Sequence, residues 1–486
     1  MQYGLPTLFR NLAELQQLEK VAEPGFLKSY LDDLVPHLVN FAFRAVLAVL
    51  IYFKMKDKKE VMYMSSSQLI NIVDVISHSF RHLDPRLIDH GERVAYILMK
   101  MLTDTSYYTK QEKQDIFMLG LLHDIGAYKG EEIDSMLSFD MNDSMEHSVF
   151  GYLLLQNFSP LSDYADIVLY HHHCNAQYYP VPIGNYHRDM AKLIYLADRI
   201  DIFCVLNNAE NLNSFLGRYS EAVFPDAGIR WFYEADKKYR ILEHLQNKTY
   251  QEEVASYTKE HLLLSEEQIR KYLMTFIFSV DFRNEYTALH TSYAVYLTEN
   301  LSHTLHLPDA SAKPVQLAAM LHNIGKVALS SDLASADDYD CYLKELYQNS
   351  TMDVTRKILS DTVDAQILKI ITESFQIIKC WSRNEPLTFT PSPAGEIVAL
   401  SYFISNMMIP GGHISYRPNL TDFLKERYKS CNMDSTILMT LEKYFPQIME
   451  QTRVSCESMF RIYHHVMDEF HYLNTILLHY NTKYRQ

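Results

Sequence analysis

Glycine and proline are scarce in this chain, with 14 and 16 residues respectively among 486. Because these two residues interrupt helices and build tight turns, their scarcity argues against folds made of many short strands. Alternating runs of β-branched residues, the pattern of half-buried strands, are also rare. The chain is therefore predicted to be all-α, and its length suffices for two to four domains.

Paired cysteines and long apolar runs are also lacking. The six cysteines are Cys174, Cys204, Cys341, Cys380, Cys431 and Cys456. They contain no Cys-x-x-Cys pair, which argues against a thiolate zinc site and a disulfide framework and fits a reducing compartment. The N-terminus has no secretory pattern, and the most apolar stretch, residues 45–53, is too short to span a bilayer. We expect a cytoplasmic protein without a membrane segment.

The chain has no excess of basic residues. Its 45 Lys and Arg residues stand against 60 Asp and Glu residues, a formal net charge of −15. General nucleic-acid binding requires a basic face, so none is expected. A nucleotide substrate remains compatible with this charge, because bound metal ions can supply positive charge locally. The hydrophobic content of 48% is sufficient for packed cores and excludes wholesale disorder.

The chain does contain a set of histidines and aspartates within one stretch of sequence. They are His90, His123, Asp124, His147, His171, His172 and Asp198. Imidazole and carboxylate groups are ligands of divalent transition metals. His123 and Asp124 directly follow the apolar run 118–122, where an isolated carboxylate would be costly to bury unless it is paired or metal-bound. A metal site explains the cluster better than any other single assumption.

The pattern around this cluster recurs in altered form in the second half of the chain. A His-Asp-Ile-Gly segment follows His90 by 33 residues, and a His-Asn-Ile-Gly segment follows His290 by 32 residues. The apolar segment that contains Asp198 likewise matches a segment that contains Tyr402. The apolar pattern is retained and the carboxylates are lost, so we interpret the second half as a structural or regulatory copy. The alternative is that two helical bundles share this spacing by chance.

These observations predict four parts. Residues 1–62 form a helical N-terminal segment, and residues 63–225 form the unit with the metal site. Residues 226–278, rich in Lys, Glu and Gln, form a helical connector. Residues 279–486 form the degenerate copy.

The order His, His-Asp, His, His-His, Asp resembles the HD superfamily of metal-dependent phosphohydrolases. It resembles most closely the HD-GYP branch, whose members are all-helical cyclic di-GMP phosphodiesterases. The resemblance covers about residues 80–205 and, in decayed form, about residues 283–410. It implies two tandem HD-type helical bundles, the second of them degenerate, behind a helical lead-in.

The resemblance also implies two divalent metal ions that share one carboxylate. The first ion would be held by His90, His123, Asp124 and Asp198, and the second by Asp124, His147, His171 and His172. Some members hold a third metal with a glutamate four residues before the first histidine, and here that position is Arg86. Fe or Mn is favoured, with Zn, Ni or Mg as alternatives.

Three more residues are assigned roles around these ligands. Lys129 corresponds to the family's lysine after His-Asp-x-Gly, displaced by two residues. It is expected to assist catalysis with Asp124 by contacting substrate phosphate, and a solvated lysine is the alternative. Asp201 and Glu146 are candidates to accept hydrogen bonds from ligand imidazoles. For Asp201, an ion pair with Arg199 or Lys192 is the alternative.

The expected activity is hydrolysis of a cyclic dinucleotide, above all cyclic di-GMP, by a hydroxide that bridges the two metals. The family's Gly-Tyr-Pro appears here as Tyr178-Tyr179-Pro180. An HD-type phosphohydrolase of another nucleotide is therefore one alternative. A catalytically weak nucleotide sensor or scaffold is another, because the second copy lacks the ligands. The expected partner is the nucleotide substrate, and a homodimer is compatible with the sequence.

Overall fold

A computed structural model describes residues 69–83, 89–129, 146–172, 180–207, 211–219, 223–282, 285–328, 341–409, 419–433 and 436–483. All of them belong to one compact unit, residues 64–486. These ranges are helical apart from short connections, and Ile70 and Val363 form an isolated antiparallel bridge. The predicted all-α fold is confirmed. The predicted N-terminal segment, residues 1–62, lies outside the described residues.

The first part of the described chain contains eleven α-helices and two short 3₁₀ helices. The α-helices are α1 (Ile72–Leu83), α2 (His90–Leu102), α3 (Lys110–Leu122), α4 (Glu146–Phe158), α5 (Ala165–Tyr170), α6 (Asn185–Asn207), α7 (Leu212–Tyr219), α8 (Asp226–Tyr239), α9 (Ile241–Asn247), α10 (Tyr250–His261) and α11 (Glu266–Asp281). The 3₁₀ helices are Ile125–Lys129 and Ser162–Tyr164.

The second part of the described chain contains seven α-helices and one 3₁₀ helix. The α-helices are α12 (Glu285–Thr304), α13 (Asp309–Leu321), α14 (Cys341–Leu359), α15 (Ala365–Arg383), α16 (Pro393–Met408), α17 (Leu420–Ser430) and α18 (Thr436–Lys483). The 3₁₀ helix is Ile324–Ala328. No described helix combines the length and apolar character needed to cross a membrane.

Local sequence explains how α2 and α3 form and which face they bury. Thr109 accepts a hydrogen bond from the backbone N–H of Glu112, whose carboxylate accepts one from the N–H of Thr109. This capping box satisfies two otherwise unpaired donors at the start of α3. On α2, Val94, Ile97 and Met101 follow His90 at helical spacing and are buried with it. The face of α2 that enters the core therefore begins with His90.

A glycine allows the first 3₁₀ helix to touch α4. A Cβ atom on Gly126 would lie 1.9 Å from the carbonyl oxygen of His147 and 2.5 Å from the backbone nitrogen of Gly151. The second half repeats this contact, since a Cβ on Gly325 would lie 2.1 Å from the carbonyl oxygen of Thr351. Only glycine fits such an approach of two backbones. Thr351 thus makes the contact with Gly325 that His147 makes with Gly126.

Two helices from later in the chain pack against α4. Phe158 of α4 contacts Phe278 of α11, with ring centroids 4.6 Å apart. Phe150 of α4 contacts Phe470 of α18 at 5.8 Å, with the rings almost perpendicular. Such aromatic pairs stabilise packing beyond their buried area. The helix that carries His147 is therefore supported by residues distant in sequence.

Candidate metal centre

Two segments bring His90, His123 and Asp124 together. His90 is the first residue of α2, and it follows Asp89, whose backbone φ is 60°. His123 and Asp124 lie between the end of α3 and the 3₁₀ helix Ile125–Lys129. All three side chains are buried. The apolar run before His123 packs in the core and carries the His-Asp pair into the interior with it.

Three other helices supply the remaining predicted ligands. His147 is the second residue of α4, and His171 and His172 directly follow the last residue of α5. Asp198 lies on α6. His147, His171 and Asp198 are buried, and His172 is partly exposed. Helices distant in sequence thus converge on the His-Asp pair.

Asp124 lies between two groups of imidazoles. Its Oδ2 is 3.2 Å from Nε2 of His123 and 3.5 Å from Nε2 of His90. Its Oδ1 is 3.5 Å from Nε2 of His171 and 3.7 Å from Nε2 of His147. Each carboxylate oxygen faces a different pair of imidazoles, which is the arrangement that a bridging ligand requires.

Two sets of ligand atoms can each surround one cation. Within each set the atoms lie within 4.8 Å of one another; one set is His90, His123 and Asp124, and the other is Asp124, His147, His171 and His172. This spacing is compatible with metal–ligand bonds of about 2.0–2.2 Å. Asp198 adjoins the first set, with its Oδ1 3.3 Å from Nε2 of His90. All seven predicted ligand residues therefore meet at one place.

Buried atoms at this place that make no hydrogen bond of normal geometry among the described residues include Nε2 of His123, Oδ1 of Asp124 and Oδ1 of Asp198. Leaving a buried donor or acceptor unpaired costs about 1–3 kcal/mol, and more for a charged group. Divalent cations would be coordinated by these atoms, so the residues fit the metal ions that the HD resemblance implies.

Hydrogen bonds on the far side of two rings determine which nitrogen faces the centre. Nδ1 of His123 donates to the carbonyl oxygen of Gly120 at 2.8 Å, and Nδ1 of His171 donates to that of Val168 at 2.6 Å. Because a carbonyl can only accept, Nδ1 carries the proton in both rings. When these rings are neutral, the lone pair is on Nε2, the nitrogen that faces Asp124.

Asp201 fixes the ring of His90 in the same way. Its Oδ2 lies 2.7 Å from Nδ1 of His90, and its two oxygens accept bonds from Nε and Nη2 of Arg93 at 2.6 and 2.9 Å. This confirms Asp201 as an acceptor for a predicted ligand. The alternative ion pair with Arg199 is wrong, because Arg199 donates to Oδ2 of Asp198 at 3.0 and 2.8 Å. Glu146 is exposed at the start of α4.

The charges of the cluster shift the pKa values of its members. Burial alone would lower the pKa of His90, but three neighbouring carboxylates raise it well above its usual value. Burial would raise the pKa of Asp124, but the surrounding imidazoles, His123 foremost, hold it well below its usual range. Burial and the adjacent His171 lower the pKa of His172. A cation bound beside His90 must therefore displace a proton, so its affinity should fall as the pH falls.

Replacing Asp201 by asparagine should weaken metal binding without unfolding the protein. The amide of Asp201→Asn could still accept from His90, but the negative charge that orients His90 and pairs with Arg93 would be lost. Loss of such an outer carboxylate costs about 10- to 100-fold in metal affinity. Competition with a chromophoric chelator would measure the loss. Asp189→Asn, an exposed site on the same helix, is the matched control, and equal affinities in the two variants would contradict the prediction.

Some predicted features lie outside the described residues. Lys129 is the last residue of its 3₁₀ helix, but its side chain is not among those described. Tyr178 and Tyr179 lie in the undescribed range 173–179, and residues 130–145 are undescribed as well. Arg93 was not singled out from the sequence. Its one signal is its position on α2, three residues after His90.

The comparison with family models places a match on the same segment. Residues 87–203 match the family model of the HD domain, and this range contains all seven predicted ligands. The chain is 27% identical over 255 residues to the 3'3'-cGAMP-specific phosphodiesterase 1 of Vibrio cholerae. That alignment covers 49% of this chain and 59% of the relative, so the chain spans about three fifths of the relative's length.

A solved structure is also similar over much of the chain. It is the crystal structure of a cyclic GMP-AMP specific phosphodiesterase of V. cholerae, with 16% sequence identity and a TM-score of 0.46. The match covers 77% of this chain and 96% of that chain. The HD family match and the relationship to the cGAMP phosphodiesterase support the predicted class of enzyme, a metal-dependent phosphohydrolase.

Proposed function

We propose that the HD domain hydrolyses a cyclic dinucleotide with the help of two divalent metal ions. One observation carries the proposal, namely the position of Asp124 with each carboxylate oxygen facing a separate pair of imidazoles. Such a carboxylate is suited to bridge two cations. Two-metal sites catalyse in-line displacement at phosphorus in many phosphatases and nucleases.

Some residues of the centre would bind the metal ions, and others would orient the residues that bind them. His90, His123 and Asp198 would hold the first ion with Asp124, and His147, His171 and His172 would hold the second with it. When bound, such ions lower the pKa of a water molecule and neutralise charge on the phosphoryl oxygens. Asp201 and Arg93 keep the ring of His90 in place. This chemistry needs no side-chain nucleophile.

We infer that 3'3'-cGAMP is a better substrate than cyclic di-GMP. The named relative is specific for 3'3'-cGAMP. The segment Tyr178-Tyr179-Pro180 also departs from the Gly-Tyr-Pro that is typical of cyclic di-GMP phosphodiesterases. Another nucleotide phosphohydrolase is the second candidate, because the same departure would alter the substrate pocket.

A substrate panel tests this proposal. The full chain is purified without oxygen, supplied with Mn or Fe, and incubated with 3'3'-cGAMP, cyclic di-GMP and several mononucleotides. We expect both cyclic dinucleotides to be opened to linear products, with the higher kcat/KM for 3'3'-cGAMP, as measured by chromatography. Cleavage of mononucleotides alone would favour the second candidate. No cleavage despite two bound metals per chain would favour a sensor or scaffold.

We also infer that residues 279–486 are a degenerate copy of residues 63–225, joined by the connector 226–278. Equivalent contacts support this inference. His322 donates from Nδ1 to the carbonyl oxygen of Ala319 at 2.5 Å, three residues back, as His123 does to Gly120. His290 is joined through Nδ1 to Ser405, which stands in the position of Asp201. The equivalent helix pairs α2–α3 and α12–α13 also pack together.

A further inference from the structure

The second half contains a buried polar cluster at the place equivalent to the metal centre. Its members are His290, His322, Asn323, Lys326 and Tyr402, all buried. The ring of Tyr402 packs almost perpendicular to both histidines, with centroids 4.7 Å from His290 and 4.8 Å from His322. Buried polar groups need hydrogen-bond partners, which can be other side chains or a bound ligand.

Both histidines of this cluster present a lone pair. The Ser405 hydroxyl donates to the carbonyl oxygen of Tyr402 at 2.7 Å, so it accepts from Nδ1 of His290, 2.6 Å away. Nδ1 of His322 donates to Ala319. Burial lowers the pKa of His290 well below its usual value and that of His322 to about 3, so both rings are neutral. Nε2 is therefore a hydrogen-bond acceptor in each.

Four polar atoms of the cluster have no hydrogen-bond partner among the described residues. They are Nε2 of His290, Nε2 of His322, and both Oδ1 and Nδ2 of Asn323. Lys326 adds a buried ammonium group whose electrostatic influence reaches both histidines. The cluster thus offers hydrogen-bond donors on Asn323 and Lys326, and acceptors on the two rings and on Asn323.

The cluster carries fewer carboxylates than the metal centre. Asp124, Asp198, Asp201 and Ala127 of the first half correspond to Asn323, Tyr402, Ser405 and Lys326 of the second. Three carboxylates are lost, whereas the lysine that follows the His-Asp-Ile-Gly segment as Lys129 directly follows the His-Asn-Ile-Gly segment as Lys326. The loss of the carboxylates disfavours a divalent cation and favours an anion. Burial lowers the pKa of Lys326, with a partial opposing effect from Asp281. An anion beside Lys326 would compensate for the burial of its charge.

We propose that this cluster binds a phosphate group that still carries a proton, either inorganic hydrogen phosphate or a phosphate monoester. Lys326 and Nδ2 of Asn323 would donate to its charged oxygens, and Nε2 of His290 or His322 would accept its P–OH proton. A phosphodiester has no P–OH group and could not make the last bond. The cluster should therefore discriminate against an intact cyclic dinucleotide. Phosphate binding here does not depend on the activity proposed for the HD domain.

A titration of the full chain after metal removal tests the proposal, because the first centre then holds no cation that could bind phosphate. Inorganic phosphate, a 5'-mononucleotide and cyclic di-GMP are compared by calorimetry and by the shift in Tm. A ligand of the native state raises the Tm with its concentration. We expect a saturable rise with phosphate or with the mononucleotide, and none with cyclic di-GMP. The titration is run at about pH 6, where a substantial fraction of a phosphate monoester still carries its proton, and the tighter of the two ligands identifies the source of the phosphate.

Lys326→Met is the decisive variant. Hydrogen bonds to charged groups contribute about 1.5–3 kcal/mol, so affinity for the phosphate probe should fall at least about tenfold. Methionine fills similar space without a buried charge, and the variant should remain folded in phosphate-free buffer. Asn323→Leu should show the same loss. Lys369→Met is the control, since Lys369 is exposed on α15 with 72% of its side chain accessible.

Several outcomes would overturn the proposal. One is the absence of saturable phosphate binding in the unaltered chain. A second is undiminished binding in Lys326→Met or Asn323→Leu. A third is binding of cyclic di-GMP as tight as that of the mononucleotide and equally sensitive to Lys326→Met. A Tm shift that Lys369→Met abolishes would also place the phosphate elsewhere.

Discussion

Asp124→Asn should abolish hydrolysis and lower the metal content of the purified protein. Asparagine has the shape of aspartate but carries no charge, and its nitrogen cannot coordinate a metal. The carboxylate faces imidazoles with both oxygens, so the substitution should weaken both cation positions. We expect the rate to fall by about 10³-fold, a loss typical of removing a group that stabilises the transition state directly. Activity assays and elemental analysis of the same samples measure both effects.

Two comparisons test whether the loss of metal and activity is specific to Asp124. Asp163→Asn removes one exposed carboxylate from the short 3₁₀ helix Ser162–Tyr164 and should leave metal content and activity unchanged. Asp124→Asn reproduces the residue that the second half carries at Asn323, so it should also convert the first centre toward the metal-free state inferred for the second. Retention of two ions per chain in Asp124→Asn would refute the bridging role.

The convergence of the seven candidate ligands could be predicted from the sequence because their residue types conflict with their surroundings. His123 and Asp124 follow five residues that bury in the core, and Asp198 lies within a run of buried apolar residues on α6. A charged or imidazole group in such a run needs a partner. The order of these residues along the chain predicted an HD-type domain at residues 63–225, and residues 87–203 match the family model of the HD domain.

The partners of those ligands could not be predicted in the same way. Asp198 and Asp201 lie one turn apart on α6 and both reach His90, but their arginine partners depend on packing. Arg93 reaches Asp201 from α2, whereas Arg199 bonds to the carboxylate beside it in sequence. The sequence alone offers Arg199 or Lys192 as ion-pair partners of Asp201. The crossing of α2 and α6, which decides the pairing, is a tertiary property.

In the second half, too, a hydrogen-bond partner of a histidine could not be predicted from the sequence. Its sequence indicated the loss of the carboxylates, but it gave no sign that Ser405 would orient His290 as Asp201 orients His90. A hydroxyl and a carboxylate both accept a hydrogen bond, so the geometry of the ring is preserved while the charge is removed. The ring of His290 is oriented as that of His90 is, but the carboxylate charge is absent. We therefore assign a different ligand to the buried polar cluster of the second half.

Gly126→Ala should both destabilise the protein and disturb the metal centre. The new Cβ would lie 1.9 Å from the carbonyl oxygen of His147 and 2.5 Å from the backbone nitrogen of Gly151. Both atoms belong to the backbone of α4, so no side-chain rotation can relieve the clash. Overpacking of a well-packed interior typically costs about 1–3 kcal/mol in the free energy of unfolding. Urea denaturation of the metal-free protein measures this cost.

Gly126→Ala should weaken metal binding because it forces the 3₁₀ helix Ile125–Lys129 and α4 apart. Asp124 precedes the 3₁₀ helix that carries Gly126, and His147 belongs to α4, so separating them lengthens the 3.7 Å contact between Oδ1 and Nε2. The ion between Asp124, His147, His171 and His172 should therefore be lost before the ion beside His90. Elemental analysis during stepwise dialysis would resolve the order of loss.

Two matched glycine substitutions separate strain from metal loss. Gly184→Ala meets no atom within 4 Å and should change the free energy of unfolding by no more than about 0.5 kcal/mol. Gly325→Ala places a Cβ 2.1 Å from the carbonyl oxygen of Thr351 and should destabilise the chain about as much as Gly126→Ala. It should nevertheless retain both metals, because its strain falls on the second half. Equal metal loss in Gly126→Ala and Gly325→Ala would mean that general destabilisation, and not the contact between Asp124 and His147, controls metal retention.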